Sequence, residues 1–164
     1  MTWFSARKDV PAEILELLPK SDRLLAWARH QTGLIAASDQ NLVSISDSTT
    51  CVTPWESSLQ AKWQPPNLTL VTKVDSDSSI NSQTWILDSP GQMPLVVRDR
   101  VTATVVIDRL LELKTAGRVR FIARRKGERI EWITLAEDDQ SLGAESGASE
   151  VAVALNQLKA AFGI

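Results

Sequence analysis

The sequence predicts an α+β protein built on a bent antiparallel sheet or partly open barrel. Short segments of alternating apolar and polar residues recur between residues 21 and 90, at the spacing of an antiparallel meander. A long run without Gly or Pro follows in the middle of the chain and predicts a helix. Val151, Leu155, Leu158 and Phe162 form an apolar stripe at helical spacing, which predicts a C-terminal helix packed on the sheet.

Length and composition are those of an ordinary globular chain. The 164 residues predict one domain over 1–164, with 43% hydrophobic and 23% charged residues. The net charge of −2 excludes a polyanion binder that acts through bulk charge. We expect no membrane span and no signal peptide, because no segment is apolar enough. The lone Cys51 leaves no internal disulfide, so we expect a cytoplasmic protein.

The N-terminal segment, residues 1–20, is predicted to be helical. Asp9 is a candidate cap, Pro11 fits the first turn, and Pro19 ends the segment. The apolar residues that predict the buried face of this helix are Ile14, Leu15, Leu17 and Leu18.

The β meander is expected over residues 21–90. Its clearest predicted strands are Arg23–His30, Leu34–Asp39, Asn41–Ser46, Asn67–Val74 and Thr84–Asp88. The polar stretch Asp75–Gln83 predicts an exposed loop between the last two of these strands.

Residues 94–136 predict a helix followed by a hairpin. The helix is expected over Pro94–Lys114, with Pro94 at its start and Gly117 beyond its end. Many β-branched residues in this segment favour a strand, so part of it remains a strand candidate.

The hairpin is predicted around a two-residue turn at Lys126–Gly127, where Gly supplies positive φ. Counting outwards from that turn pairs Phe121 with Trp132 and Val119 with Thr134 on the core side of the sheet. The opposite side then carries the basic residues Arg118, Arg120, Arg124 and Arg129, with Arg125 at the tip.

An acidic loop is expected from Glu137, before a last helix over residues 149–162. Ser149 is the candidate cap of this helix, and Glu150 lies in its first turn.

Two of the six tryptophans lie close together in the stretch TPWESSLQAKWQPP. The favoured interpretation is that Trp55 and Trp63 both fill the core of a bent strand, with Pro54 at an edge or break. The alternative is that Trp63, which neighbours Lys62, is exposed to a ligand.

Several runs resemble known families. GLIAASDQNLVSIS, VTPWESSLQAKW and LTLV resemble a pattern of bacterial PH-like domains. The runs VVRDRVTATVVIDR, GRVRFIARR and EWITLAED are similar to small uncharacterised actinobacterial proteins, and this resemblance extends from about Pro11 to Phe162. It implies a PH-like fold in the first half and an unknown function, with no catalytic residue. The segment Pro94–Lys114 departs from the simplest PH pattern.

Catalytic motifs are not found. His30 is the only histidine, and it would need a nucleophile and a carboxylate nearby, for which Ser38 and Asp39 are the candidates. No residue pattern indicates a metal or another cofactor. We therefore expect a non-catalytic binding or scaffolding module that acts through a protein partner or self-association, such as a homodimer. A small-molecule enzyme around His30 is an alternative.

The second alternative is binding of an anionic ligand by the basic hairpin face. Residues 98–131 hold ten basic and five acidic residues, in a chain that is acidic elsewhere. Phosphate groups, lipid head groups or nucleic acid carry the matching charge. Nucleic acid is disfavoured because Phe121 and Trp132 are predicted on the other face, where they cannot interleave with the arginines.

Overall fold

The computed structural model describes residues 9–74, 79–137 and 145–164. These residues form an α+β structure with ten strands in three open antiparallel sheets. The helices are α1 (Ala12–Leu17), α2 (Met93–Thr104) and α3 (Glu145–Phe162). The strands are β1 (Leu24–His30), β2 (Gly33–Ser38), β3 (Asn41–Ser46), β4 (Thr49–Pro54), β5 (Ser58–Gln64), β6 (Asn67–Lys73), β7 (Ile80–Ile86), β8 (Val105–Leu113), β9 (Gly117–Lys126) and β10 (Arg129–Ala136). The predicted α+β class and its two main helices are confirmed, and within the described ranges no sheet closes into a barrel.

Backbone contacts divide the chain into two compact units, residues 1–103 and 104–164. Unit 1 holds α1, β1 to β7 and nearly all of α2, whereas unit 2 holds β8 to β10 and α3. Each unit has a buried apolar cluster made of its own residues. The single domain that the sequence predicts over 1–164 stays a prediction.

The first sheet of unit 1 is the meander β1-β2-β3-β4. Two-residue turns join its strands, and Asp47 and Ser48 in the β3–β4 turn have φ values of 43° and 77°. Positive φ at both central residues is typical of a type I′ turn, whose twist matches that of the paired strands. The predicted strands of this region are confirmed to within one residue at each end.

The second sheet of unit 1 is β5-β6-β7, and it meets the first sheet at one corner. There His30 and Leu87 form a β-bridge, and the Asp88 N–H donates to the Arg29 carbonyl oxygen at 3.1 Å. Both sheets and α2 bury side chains in one cluster. Its large members are Ile35, Leu42, Trp55, Leu68, Leu70, Trp85, Leu87, Met93, Val97 and Val101.

A buried hydroxyl ties together three parts of unit 1. Ser38 is fully buried, and its Oγ donates to Asp22 Oδ2 at 2.7 Å while accepting the Asn41 N–H at 2.8 Å. Asn41 Nδ2 donates to the same Asp22 oxygen at 2.7 Å. The Ser38 carbonyl oxygen accepts the Trp55 indole N–H at 2.9 Å. The approach to β1, the β2–β3 turn and the segment after β4 therefore share one polar cluster.

Helix α1 covers the outer face of the first sheet. Ile14 is fully buried and packs with Leu34 and Val43, and Leu18 is partly buried beside them. The predicted cap is wrong, because Pro11 rather than Asp9 occupies the N-cap position and no side chain caps the helix. Leu15 and Leu17 were expected on the buried face but are exposed. The six-residue helix turns only its Ile14 side to the sheet.

Unit 2 is the meander β8-β9-β10 with α3 on one face. Val151, Leu155 and Leu158 of the predicted stripe pack against Phe121 and its neighbours. The helix begins at Glu145, so the predicted start at Ser149 is wrong by about one turn. Beyond the cluster, the guanidinium of Arg109 lies 5.6 Å from the centre of the Phe162 ring.

Glu150 of α3 holds the turn between β8 and β9. Its carboxylate accepts the backbone N–H groups of Lys114, Thr115 and Ala116 at 2.8, 2.8 and 3.1 Å. The hydrogen bond from Thr115 is the main cause of the lowered pKa of Glu150; desolvation opposes it, and the other two N–H groups support it. The turn is therefore fixed by a carboxylate that is remote in sequence.

The predicted helix over Pro94–Lys114 is right only for its first half. Helix α2 ends at Thr104, and Val105–Leu113 is strand β8, paired with β9. Val105, Val106 and Ile107 begin the strand, and their β-branched side chains fit its pleated ladder.

The hairpin prediction is right in type but wrong in register. The two-residue turn is Gly127–Glu128, since Lys126 pairs with Arg129, and Gly127 has a φ of 62°. Trp132 therefore pairs with Ala123, and Thr134 pairs with Phe121. The shift is by two residues, so every side chain keeps its predicted face.

Two predicted loops lie partly outside the described residues. Of the polar stretch Asp75–Gln83, residues 75–78 are outside, and Ile80–Gln83 belong to β7 rather than to a loop. The acidic loop after Glu137 lies outside at residues 138–144, and residues 145–149 belong to α3.

Gly33→Ala is expected to destabilise unit 1 by about 3 kcal/mol, because it overfills a closely packed position. A Cβ at Gly33 would overlap the Ile45 carbonyl group of the paired strand, which is backbone and cannot rotate away. Urea unfolding followed by tryptophan fluorescence measures the loss. Gly147→Ala is the control, since its Cβ would lie 3.7 Å from the nearest Ala116 atoms, an ordinary contact. Equal midpoints for Gly33→Ala and wild type would contradict the β2–β3 register.

The stabilisation given by the Asp22 charge is expected to disappear in acid. Desolvation raises the pKa of Asp22, but hydrogen bonds from Ser38, Asn41 and Ser21 outweigh it, so the pKa is lowered from its usual 3.8. Stability from such a group is present above the unfolded pKa and is lost as the pH falls through the folded pKa. Asp22→Asn should thus unfold at lower urea than wild type at neutral pH, and the two should converge below pH 3.8. Glu16→Gln, at an exposed site on α1, is the control, and a gap that stays constant with pH would contradict the prediction.

Candidate functional site

A groove of about 320 Å³ lies between β5 and the start of α2 in unit 1. Its lining is apolar at the floor and basic at the rim. The lining residues are Ala61, Lys62, Trp63, Leu68, Pro90, Gly91, Pro94, Leu95 and Arg98. This groove contains Trp63, which the sequence singles out as either a core residue or a ligand contact.

The core interpretation of the tryptophan pair is right for Trp55 and only partly right for Trp63, and a ligand at Trp63 stays a prediction. Trp55 is only 4% exposed and fully belongs to the core, where its indole N–H is hydrogen-bonded. Trp63 packs against the edge of the same cluster but is half-buried and also forms a wall of the groove. The bent strand of the prediction is two strands, β4 and β5, separated by a 3-10 turn at Trp55–Ser57.

The second wall of the groove is formed by α2, and helical spacing explains which of its residues face the groove. Met93, Val97 and Val101 recur at four-residue steps and are buried in the cluster. Leu95 and Arg98 lie three residues apart on a different side of α2, where they line the groove. Leu95 is 62% exposed, the highest value among the large apolar side chains of the described residues.

The charge at the rim is unbalanced. Lys62 and Arg98 are both exposed, and no Asp or Glu is among the lining residues. Within ranges 9–74, 79–137 and 145–164, neither side chain forms an ion pair. A groove with an apolar floor and two cations at its rim fits a ligand that carries both an apolar group and negative charge.

The predicted basic face of the hairpin is formed, but three of its arginines, Arg118, Arg120 and Arg124, already have interaction partners. Alternation along β9 places Arg118, Arg120 and Arg124 on one face, and Arg129 follows on β10. Arg124 is 0% exposed. Arg125 and Arg129 are exposed, so they are the accessible cations for the predicted anionic ligand, which stays a prediction.

Arg120 is held by two carboxylates. Its Nη1 donates to Asp108 Oδ1 and Oδ2 at 3.2 and 3.0 Å, and its Nε donates to Glu137 Oε1 at 2.8 Å. Desolvation lowers the pKa of Arg120, but the hydrogen bond to Glu137 and the charge of Asp108 outweigh it and raise the pKa. Arg120 therefore links β8, β9 and the end of β10. An external anion would have to compete with the two carboxylates for this guanidinium.

His30 does not meet the partners that the sequence proposed. The ring is buried, and Nδ1 lies 3.4 Å from the Thr32 backbone nitrogen. Ser38 Oγ donates to Asp22, and Asp39 accepts the Arg23 N–H at 2.8 Å. A cavity of about 230 Å³ adjoins His30, and the residues lining it are Gln31, Thr32, Ser46, Gln83, Thr84, Trp85 and Ile86, which include no carboxylate.

Leu95 and Arg98 are not among the predicted site residues. Both lie in the predicted helix, where the four-residue steps of the buried stripe are the stronger pattern. The detectable signal was an apolar residue and a cation three positions apart that do not belong to that stripe.

Comparison with known proteins gives no match to this chain among family models, curated proteins or solved structures. In the part of the chain that the structure describes, no helix is both long and apolar enough to cross a membrane. Among the same residues, no group of three or more His, Cys, Asp or Glu side chains is placed to hold a metal ion.

Proposed function

We propose that this chain is a protein-binding module of PH-like type, and that the groove between β5 and α2 is its binding site. The seven strands of unit 1, four in one sheet and three in the other, are followed by a helix, as a PH-like domain would require. This support is an analogy between folds, so the function depends on the groove itself.

One observation carries the proposal. The groove combines an exposed Leu95, a half-buried Trp63 and two rim cations without carboxylate partners among the described residues. A contiguous apolar patch with a polar rim marks an interaction site, and tryptophan and arginine are enriched among the residues that contribute most to binding. The partner is therefore a protein with a negatively charged, partly apolar segment.

The test uses a photo-crosslinking amino acid in place of Leu95, in the full chain inside cells. We expect crosslinks to a discrete protein, which is then purified and titrated against the wild-type chain. Lys62→Glu combined with Arg98→Glu should weaken that binding by at least about tenfold, because reversed charge repels an acidic partner. The affinity should also fall as salt rises, since rim charges are screened.

Arg129→Glu is the matched control, because it reverses an exposed cation of unit 2 that does not line the groove. Binding that survives both groove substitutions, or that Arg129→Glu weakens equally, would overturn the proposal. If the crosslinked protein is a second copy of this chain, the module is a self-associating one, and the same substitutions should convert it to a monomer.

A further inference from the structure

Strand β5 lies at the edge of its sheet. It pairs with β6 from Ser58 to Gln64, and the strand order β5-β6-β7 gives it no second neighbour. In an antiparallel ladder, alternate residues direct their N–H and C=O groups away from the partner strand. An edge strand thus presents a row of backbone donors and acceptors to whatever lies beside it.

The groove runs beside this edge. Ala61, Lys62 and Trp63 are consecutive residues of β5, and all of them line the groove whose other wall is the start of α2. A ligand in the groove therefore lies against the edge strand. A segment in extended conformation can pair with the outer backbone groups of β5 while its side chains enter the groove.

Other edges of unit 1 lack this combination. The cavity beside edge strand β1 contains both Lys20 and Asp22, so its charge is balanced. Edge strand β4 adjoins a cavity whose lining has one cation, Lys73, and that side chain already has an interaction partner. The cavity beside edge strand β7 has no Lys or Arg in its lining. Among the four described edges and the cavities beside them, the combination of an open ladder, an apolar floor and unpaired cations is found at β5.

We propose that the partner's acidic segment binds as an additional strand on β5, extending the β5-β6-β7 sheet. This inference rests on the proposed function and adds the conformation and sequence class of the ligand. Because side chains of a strand alternate between faces, Lys62 and Trp63 point to opposite sides. The segment should therefore alternate apolar residues, which pack beside Trp63, with acidic residues, which lie beside Lys62.

The test separates backbone pairing from charge attraction. The probe is a synthetic peptide of alternating Glu and Val with Gly-Ser ends, titrated into the full chain. Two N-methylated versions carry the methyl groups on alternate sets of residues. The peptide whose methyl groups replace the N–H hydrogens that face β5 should bind at least about tenfold more weakly. The peptide methylated on the other residues should bind like the parent peptide. Amide hydrogen exchange at Ala61–Trp63 should slow when the parent peptide is bound.

Protein variants supply the second control. Leu95→Ser should weaken binding of the parent peptide. Leu15→Ser, at a similarly exposed leucine on α1, should leave that binding unchanged. Equal binding of both methylated peptides would overturn strand addition, as would failure of the parent peptide to bind at about 1 mM. The proposed function would survive either result if the crosslinked partner still depends on Lys62 and Arg98. If binding of the crosslinked partner does not depend on Lys62 and Arg98, the proposal that the groove is the binding site is wrong.

Discussion

The burial of Ser38 is the constraint on which the arrangement of unit 1 depends. A hydroxyl in an apolar interior must be hydrogen-bonded, and Ser38 Oγ contacts the Asp22 carboxylate and the Asn41 N–H while its carbonyl oxygen receives the Trp55 indole N–H. These partners come from three separate parts of the chain. Moving any one of them leaves a buried polar group unsatisfied, so the approach to β1, the β2–β3 turn and the exit from β4 are fixed together.

That cluster also determines where β5 begins. Trp55 is fixed by its indole N–H and by its place in the core, and the 3-10 turn that it starts leads directly into β5. An irregularity between Ser58 and Gln60 then re-aims the strand against β6. Eight residues after Trp55, Trp63 packs against the same core cluster but is only half-buried. It therefore also forms a wall of the groove beside the start of α2.

Local patterns predicted the meander well, since alternation and turn residues act within a few positions. The turn at Asp47–Ser48 and the strands on either side of it follow from such local rules. The end of α2 was not predictable in this way, because Val101 satisfies a helical stripe and Val105 begins a strand within the same β-branched run. Of the candidate site, the sequence predicted only Trp63 and its neighbour Lys62. Leu95 and Arg98 line the groove because the fold brings β5 beside them, about thirty residues earlier in the chain, and no local sequence pattern predicts that contact.

Glu150 has a consequence for the order in which unit 2 becomes structured. Its carboxylate binds N–H groups that precede it by 34 to 36 residues. A hairpin closed by its own residues forms within microseconds, but this turn acquires its clamp only after α3 has arrived. During synthesis, β8 and β9 therefore leave the ribosome with neither a fixed turn nor a cover for Phe121 and Val119. Completion of this small sheet therefore waits for the helix that both clamps and covers it, which is synthesised after the turn.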